Sequence, residues 1–177
     1  MMDEEAAQEA ARWHRKGLRL EDHDYSEEGY VYFVTLSAHH LTAPFSPPRL
    51  ASAIVDALDY QRKLGRARVY AYCLMPDHLH IALSPVGGCS IPQVLQSFKS
   101  YTTKLAWQQG IPGRLWHRSY YDHVARRDED LLAVCDYILA NPVRKGLASE
   151  AADWPYSGMP DTLAVLPDIV LAGGLRP

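Results

Sequence analysis

The segment Met75-Pro76-Asp77-His78-Leu79-His80 decides how this chain is interpreted, because it joins a turn to two histidines at alternate positions. A Pro-Asp pair favours a turn. Side chains alternate between the two faces of a strand, so a strand beginning here would place His78 and His80 on one face and Leu79 on the other. Two imidazoles on one face are a candidate pair of ligands for a divalent transition metal.

A second segment, Asp136-Tyr137-Ile138-Leu139-Ala140-Asn141-Pro142, follows some distance downstream. The apolar residues Leu131, Val134, Cys135 and Ile138 recur at helical spacing before and within it. Residues four apart are neighbours on a helix, so the phenol of Tyr137 and the amide of Asn141 would be presented together. Pro142 predicts that the helix ends nearby.

Between and around these segments the sequence predicts an α+β domain. Residues that favour β-structure, or alternate between apolar and polar, predict strands over residues 30–37, 68–75 and 78–84. An aromatic segment at 115–124 is a candidate fourth strand. Apolar residues at helical spacing predict helices over 46–65, 91–107 and 128–141. This order favours a ferredoxin-like or RRM-like antiparallel sheet backed by helices. The leucine and isoleucine face of the third strand calls for a helix layer, which would leave the histidine face open to a ligand.

The length of 177 residues fits one domain with tails. We predict an acidic amino-terminal extension over residues 1–28, the domain over 29–157 and a tail over 158–177. The start lacks the apolar core of a secretory signal, and no apolar run reaches the roughly 18 to 20 residues of a membrane span, so we expect a cytoplasmic protein without membrane contacts. Three unevenly spaced cysteines argue against a disulfide framework.

The formal net charge of −3 hides an uneven distribution. Residues 1–28 carry nine acidic and four basic residues, whereas residues 49–127 carry eleven basic and four acidic ones. A basic middle can attract phosphates even when the whole chain is acidic. An ordinary solvated surface is the alternative interpretation of these bases.

Two histidines and an amide oxygen would suit a weakly held divalent ion such as Mg²⁺ or Mn²⁺. An ion of this kind could activate a phosphate toward a tyrosine, which is otherwise a poor nucleophile at neutral pH. Each residue taken alone also fits a plain structural role: strand histidines without a ligand, a tyrosine that covers the core, and an asparagine at a helix end.

Three motifs in this order carry a family resemblance. They are YCLMPDHLH at residues 72–80, DYILANPVRKGL at 136–147 and DWPYS at 153–157. Together they resemble the REP-associated tyrosine transposases, a branch of the HUH single-tyrosine superfamily, in which HUH denotes histidine, a bulky hydrophobic residue and histidine. The resemblance implies the HUH transposase fold and a catalytic domain over residues 29–157.

The resemblance also assigns roles. It implies that Tyr137 is the catalytic nucleophile, that His78 and His80 bind a divalent metal, Mg²⁺ or Mn²⁺, and that Asn141 completes the metal site. Members of the family commonly carry histidine two residues after the tyrosine, where this chain has Leu139. If that histidine assists the reaction, this chain lacks its help.

The implied activity is cleavage and rejoining of single-stranded DNA at hairpin-forming repeats through a 5′-phosphotyrosine, by a monomer in preference to a homodimer. Basic residues are then candidates for phosphate contacts and aromatic residues for stacking on unpaired bases. The basic candidates are Lys99, Lys104, Arg114, Arg118, Arg126, Arg127, Arg144 and Lys145, and the aromatic candidates are Trp116, Tyr120 and Tyr121.

Two other classes of function remain open on the sequence. A domesticated, non-catalytic module would bind hairpin nucleic acid without needing Tyr137. A small metal-dependent hydrolase would use the histidine pair and a metal-bound water, and would form no covalent adduct.

Overall fold

The structure, a computed structural model, describes residues 24–26, 30–39, 43–125 and 131–161, of which residues 121–125 as backbone only. In chain order the elements are β1 (Val31–Ser37), α1 (Pro48–Lys63), β2 (Ala67–Leu74), β3 (His78–Pro85), α2 (Ile91–Gln108), β4 (Tyr121–Ala125), α3 (Leu131–Leu139), α4 (Asn141–Arg144), a 3₁₀ turn (Ala151–Asp153) and β5 (Ser157–Gly158). All the strand pairs are antiparallel, in the order β4-β1-β3-β2-β5. The order of the first four strands and the βαββαβ succession confirm the ferredoxin-like prediction.

Strand β3 lies at the centre of this sheet, between β1 and β2. The turn predicted at Pro76 and Asp77 joins β2 to β3, and the Met75 backbone N–H closes it by donating to the carbonyl of His78 at 2.8 Å. His80 lies opposite Thr35 of β1 on one side and opposite Cys73 of β2 on the other. The histidines therefore sit on a strand that is held from both sides.

The two faces of the sheet are covered by different helices. Leu79, Ile81 and Leu83 point into a core formed with α1 and α2, as the apolar pattern predicted. On the opposite face, the apolar stripe of α3 packs against Phe33, Tyr70, Cys73 and Ala82. The expectation that the histidine face would be open is therefore wrong in part, because α3 must bury its stripe and does so beside the histidines.

Strand β2 departs from simple alternation. The sequence pattern predicted Val69, Ala71 and Cys73 on one face, but the pairing with β3 slips by one residue between Val69 and Ala71. Tyr70 is the extra residue of this bulge, and such an insertion reverses the faces on either side of it. Val69 therefore packs on the α1–α2 side, while Ala71 and Cys73 pack on the α3 side.

The aromatic segment at 115–124 is only partly a strand, since β4 begins at Tyr121. Before it, Trp116 makes an isolated bridge to Ala38, and the His117 N–H donates to the Ser37 carbonyl at 2.8 Å. Trp116 is buried between Phe45 and Phe98, with ring centroids 4.7 and 5.9 Å away. The segment is thereby fixed to the helix side of the sheet.

Residues on either side of the predicted 29–157 domain also touch it. Tyr25 stacks on Tyr32 with ring centroids 5.4 Å apart, and Gly158 pairs with Tyr72 in the edge strand. Residues 1–23 and 162–177 lie outside the described part of the chain, so the proposed boundaries of the extension and the tail stay predictions. In the described part, no helix is both long and apolar enough to cross a membrane.

Asp161 joins the end of the described chain to the bulged strand. One carboxylate oxygen accepts from Arg62 Nη1 at 2.9 Å and the other accepts from the Val69 backbone N–H at 2.8 Å. We expect Asp161→Ala to lower the free energy of unfolding by about 1–2 kcal/mol, because the strand N–H loses its acceptor. Urea unfolding measures this loss.

Asp161→Asn should lose less, because its amide oxygen can still accept from Val69. Asp56→Ala is the matched control, since Asp56 is exposed on α1 and makes no ion pair with a described residue. Equal stabilities of the Asp161→Ala variant and the parent chain would contradict the assigned role.

Candidate functional site

The two histidines of β3 converge at their Nε2 atoms. His78 Nε2 and His80 Nε2 lie 3.0 Å apart, with the two rings nearly perpendicular at 81°. His80 is only 4% exposed, whereas His78 is partly accessible at the edge of the site. The alternation of the strand thus produces the paired imidazoles that the sequence predicted.

The other ring nitrogen of each histidine has a partner of its own. His78 Nδ1 lies 2.6 Å from a carboxylate oxygen of Asp77, and His80 Nδ1 lies 2.9 Å from the hydroxyl of Thr35. A histidine that binds a metal typically bonds its second nitrogen to a carboxylate or another polar group, which fixes the ring and its tautomer. Both partners leave the Nε2 atoms directed at each other.

The spacing of the Nε2 atoms can be compared with that of metal ligands. Two ligands at about 2.1 Å from an octahedral ion and at right angles to each other are about 3.0 Å apart. Among the described residues, no group of three or more His, Cys, Asp or Glu could hold a metal ion. The Nε2 spacing is therefore compatible with two adjacent ligands of a divalent ion, and it is also that of a hydrogen bond between the two imidazoles. The ion and its further ligands stay predictions.

Tyr137 reaches the same face of the sheet from α3. Its ring centroid lies 6.4 Å from that of His80 and 6.0 Å from that of Phe33, which also stacks on His80 at 5.7 Å. The apolar stripe of α3 explains this placement, because burying the stripe turns the flank that carries Tyr137 toward β3. The structure thus brings Tyr137 and the histidine pair together.

Arg144, which the sequence suggested only as a DNA contact, lies beside Tyr137. Its guanidinium carbon is 4.8 Å from the centroid of the tyrosine ring, a cation–π arrangement. Residue 144 is two helical turns after residue 137, so the contact needs helical structure to continue beyond Pro142. The structure has such a continuation in α4, and the prediction that the chain leads directly out of the helix is wrong at this point.

Asn141 explains how the helical path survives proline. Pro142 has no N–H to donate to the carbonyl of Ile138. The side-chain amide of Asn141 donates to that carbonyl at 3.1 Å and to the carbonyl of Tyr137 at 2.9 Å. Both bonds use Nδ2, so Oδ1 is the only side-chain atom of Asn141 that suits a metal. Its place as third ligand stays a prediction.

The remaining DNA-contact candidates lie elsewhere. Trp116 is 2% exposed and its indole N–H donates to Thr102 Oγ1 at 2.8 Å, which argues against a base-stacking role because the ring has almost no free surface. Lys145 is exposed at the end of α4. On α2 and the segment after it, opposite α3 across the sheet, are Lys99, Lys104, Arg114, Arg118 and Tyr120. Arg126, Arg127 and the side chain of Tyr121 lie outside the described residues.

Sequence reasoning missed three residues that shape the site: Thr35, Asp77 and Phe33. Thr35 and Phe33 alternate on β1, so strand periodicity placed them on one face. The sequence did not show that β1 would lie next to β3 with Thr35 opposite His80. Asp77 was assigned only to the turn, although it directly precedes the first histidine.

A family model described as "Transposase IS200 like" matches residues 49–141. The chain is 27% identical over 107 residues to a Haemophilus influenzae protein assigned as a REP-associated tyrosine transposase, a match that covers 49% of this chain and 56% of that protein. It is 28% identical over 90 residues to the REP-associated tyrosine transposase of Escherichia coli K12, covering 50% of this chain and 52% of that protein. The chain thus matches little more than half the length of these two relatives.

Among solved structures, the chain resembles that of a REP-associated tyrosine transposase bound to a REP hairpin. The TM-score is 0.60 at 22% identity, and the match covers 90% of this chain and 89% of the other. This likeness shows the fold. Because the family model matches more than half of the 177 residues, from the start of α1 to Asn141, the chain belongs to the family of IS200-like transposases.

Proposed function

We propose that this chain cleaves and rejoins single-stranded DNA at hairpin-forming repeats, with Tyr137 as nucleophile and with a divalent ion, Mg²⁺ or Mn²⁺, held by His78 and His80. The observation that carries the proposal is the convergence of two Nε2 atoms, each fixed from behind, next to a tyrosine ring. The transposase relatives support the reaction class, and the hairpin in the structural relative supports the kind of substrate.

In the proposed reaction the phenol oxygen of Tyr137 forms a bond to the phosphorus of a phosphodiester. The bond from phosphorus to the 3′ oxygen breaks, the phenol loses its proton, and the 3′ oxygen gains a proton to leave as a hydroxyl. The products are a 5′-phosphotyrosine and a free 3′ end. Reversal with another 3′ end rejoins the strand, and no nucleotide cofactor is needed because the covalent link conserves the bond energy.

The chain's own residues have distinct parts in this proposal. When bound, the ion supplies Lewis-acid polarisation of a phosphate oxygen. Asp77 and Thr35 keep the imidazoles oriented. Phe33 stacks on the His80 ring and meets the Tyr137 ring edge-on, so that it packs against both rings. Arg144 brings a positive charge to the nucleophile, where a phosphate must approach.

The partner and the oligomeric state follow from the same proposal. The proposed substrate is DNA with a hairpin and an unpaired flank. The attacked strand is unpaired because its backbone must come close to Tyr137 at the face of the sheet. His78, His80 and Tyr137 all come from one chain, which fits the predicted monomer. Asn141, Oδ1 in particular, is proposed as the third protein ligand.

The tyrosine is tested by trapping the covalent intermediate. Incubation with labelled single-stranded DNA carrying the palindromic repeat nearest the gene, with Mn²⁺, should give a denaturant-resistant protein–DNA adduct on a gel. Tyr137→Phe should abolish it, because the phenyl ring offers no oxygen to phosphorus. Tyr101→Phe is the matched control, since Tyr101 is exposed on α2.

An adduct that persists in Tyr137→Phe would refute the nucleophile assignment. Cleavage without an adduct would favour the metal-dependent hydrolase, and binding without cleavage would favour the non-catalytic module.

Metal binding is tested through Asp77. Asp77→Asn removes the carboxylate that orients His78, and loss of such a partner typically weakens metal affinity 10- to 100-fold. We expect the Mn²⁺ concentration for half-maximal adduct formation to rise by at least about tenfold. Isothermal titration of Mn²⁺ without DNA gives a second measurement, and Asp56→Asn is the control. An unchanged Mn²⁺ affinity would count against the histidine pair as the ion site.

The role of Arg144 is tested by kinetics. We expect Arg144→Gln to slow adduct formation at saturating DNA by about tenfold, about 1.4 kcal/mol, because it removes the cation at the nucleophile. Arg144→Lys should rescue poorly, since an ammonium group cannot stack as a planar guanidinium does. Arg49→Gln removes an exposed charge on α1, outside the candidate DNA contacts, and should leave this rate nearly intact. A change confined to DNA affinity would instead assign Arg144 to backbone binding.

A further inference from the structure

A basic groove runs along α2, on the face of the sheet opposite α3. Residues of α2 and of the segment from Arg114 to Tyr120 enclose a volume of about 660 Å³. The described lining contains no carboxylate, and its cations are Lys99, Lys104, Arg114 and Arg118. Positive charge therefore collects in this groove without an acidic neighbour in the lining.

Three of these cations are available to an anionic partner. Lys104, Arg114 and Arg118 are exposed, and none forms an ion pair with a described residue. The ammonium group of Lys99 is already engaged, since it donates to the carbonyls of His117 and Arg118 at 2.6 and 3.1 Å. Like charges held together without a counter-ion repel each other, and a bound anionic group would relieve that repulsion.

The chain enters the domain at one end of this groove. The N–H of Ile91, the first residue of α2, donates to the carbonyl of Tyr25 at 3.1 Å. The ring of Tyr25 also stacks on Tyr32 of β1. Pro92, the next residue of α2, lines the groove. Residues 1–23, which lie outside the described part of the chain, are therefore attached beside the groove.

The attached segment carries an acidic cluster of its own. Four of the seven residues from 3 to 9 are acidic, namely Asp3, Glu4, Glu5 and Glu9. The first base of the chain is Arg12, so the acidic cluster contains no positive side chain. Four negative charges thus face three exposed positive charges of the groove. The bases that follow the cluster would be repelled by the groove, and they are Arg12, Arg15, Lys16 and Arg19.

The length of the attached segment allows the acids to reach the far cations. From Pro92 to Lys104 the helix rises about 18 Å, at about 1.5 Å per residue. The chain from Glu9 to Asp24 can span up to about 50 Å when extended. The acids can therefore meet Lys104 and Arg114 while the intervening bases stay outside the groove. Attachment also raises the local concentration of the acids to the order of millimolar, so a weak attraction is sufficient.

We propose that the acidic cluster, residues 3–9, docks in the basic groove of its own chain and neutralises Lys104 and Arg114. The docking follows from charge and attachment, and it goes beyond the proposed reaction at Tyr137 without depending on it. A polyanion that binds these cations, the DNA of the proposed function included, must first displace the cluster. Salt screens attraction between exposed charges, so the docking weakens as the ionic strength rises.

Zero-length cross-linking with a carbodiimide tests the contact in the full chain. The reagent joins a carboxylate to a lysine amine where the two groups touch, and mass spectrometry of tryptic peptides identifies the pair. At low salt, carboxylates of residues 3–9 should be joined to Lys104. Lys145, exposed at the end of α4, is the control and should give at least about tenfold fewer cross-links, because docking concentrates the acids at the groove.

Lysine acetylation measures the same contact without a cross-linker. In the full-length variant Asp3→Asn/Glu4→Gln/Glu5→Gln/Glu9→Gln, Lys104 should be acetylated at least about threefold faster than in the parent chain at about 0.05 M salt, because the docked cluster no longer protects it. The difference should vanish near about 1 M salt, where the screening length is about 3 Å. Asp56→Asn, which removes an exposed acid of α1, is the matched control and should leave Lys104 unchanged.

Three results would overturn the proposal. Equal cross-linking of Lys104 and Lys145 would show that the acids have no preferred docking site. Cross-links that combine isotope-labelled and unlabelled chains, in an equal mixture of the two, would assign the contact to a second copy. An unchanged acetylation rate of Lys104 in the neutralised variant would show that the cluster does not protect it. None of these measurements involves the covalent adduct, so failure of the proposed reaction leaves their outcome unaffected.

Discussion

The pairing of β1 with β3 is the constraint on which the candidate site depends. It sets Thr35 opposite His80 and brings Phe33 onto the same face of the sheet. The hydroxyl of Thr35 is hydrogen-bonded to Nδ1 of His80, and Phe33 stacks on the same ring. A shift of one residue in this pairing would turn both side chains to the α1–α2 core. The register of the β1–β3 pairing therefore determines which side chains surround His80.

The two faces of the sheet carry different kinds of residues. Its histidine face, covered by α3, collects the groups suited to phosphoryl chemistry, and its other face carries the apolar core under α1 and α2. The cations Lys99, Lys104, Arg114 and Arg118 lie on α2 and on the segment after it. These are four of the eleven basic residues between positions 49 and 127, and other basic residues of this stretch lie on α1 and in β2.

Local patterns predicted most of the fold, because strand alternation and helical spacing depend only on neighbouring residues. They predicted the histidine pair on β3 and the apolar stripe that brings Tyr137 to it. They did not predict the bulge at Tyr70, since an extra residue has no signature in an alternating apolar strand. They also did not identify Thr35 as the partner of His80, because strand order is a long-range property. Trp116 was a candidate for base stacking from its residue type, and its packing shows that it is a core side chain.

The amide of Asn141 has a mechanical consequence. A proline within a helical path usually creates a hinge, because one backbone bond is missing. Here the side chain of Asn141 replaces that bond, so α3, which carries Tyr137, and α4, which carries Arg144, continue as one helical unit. A displacement of this unit relative to the sheet therefore carries the backbone of both Tyr137 and Arg144 with it.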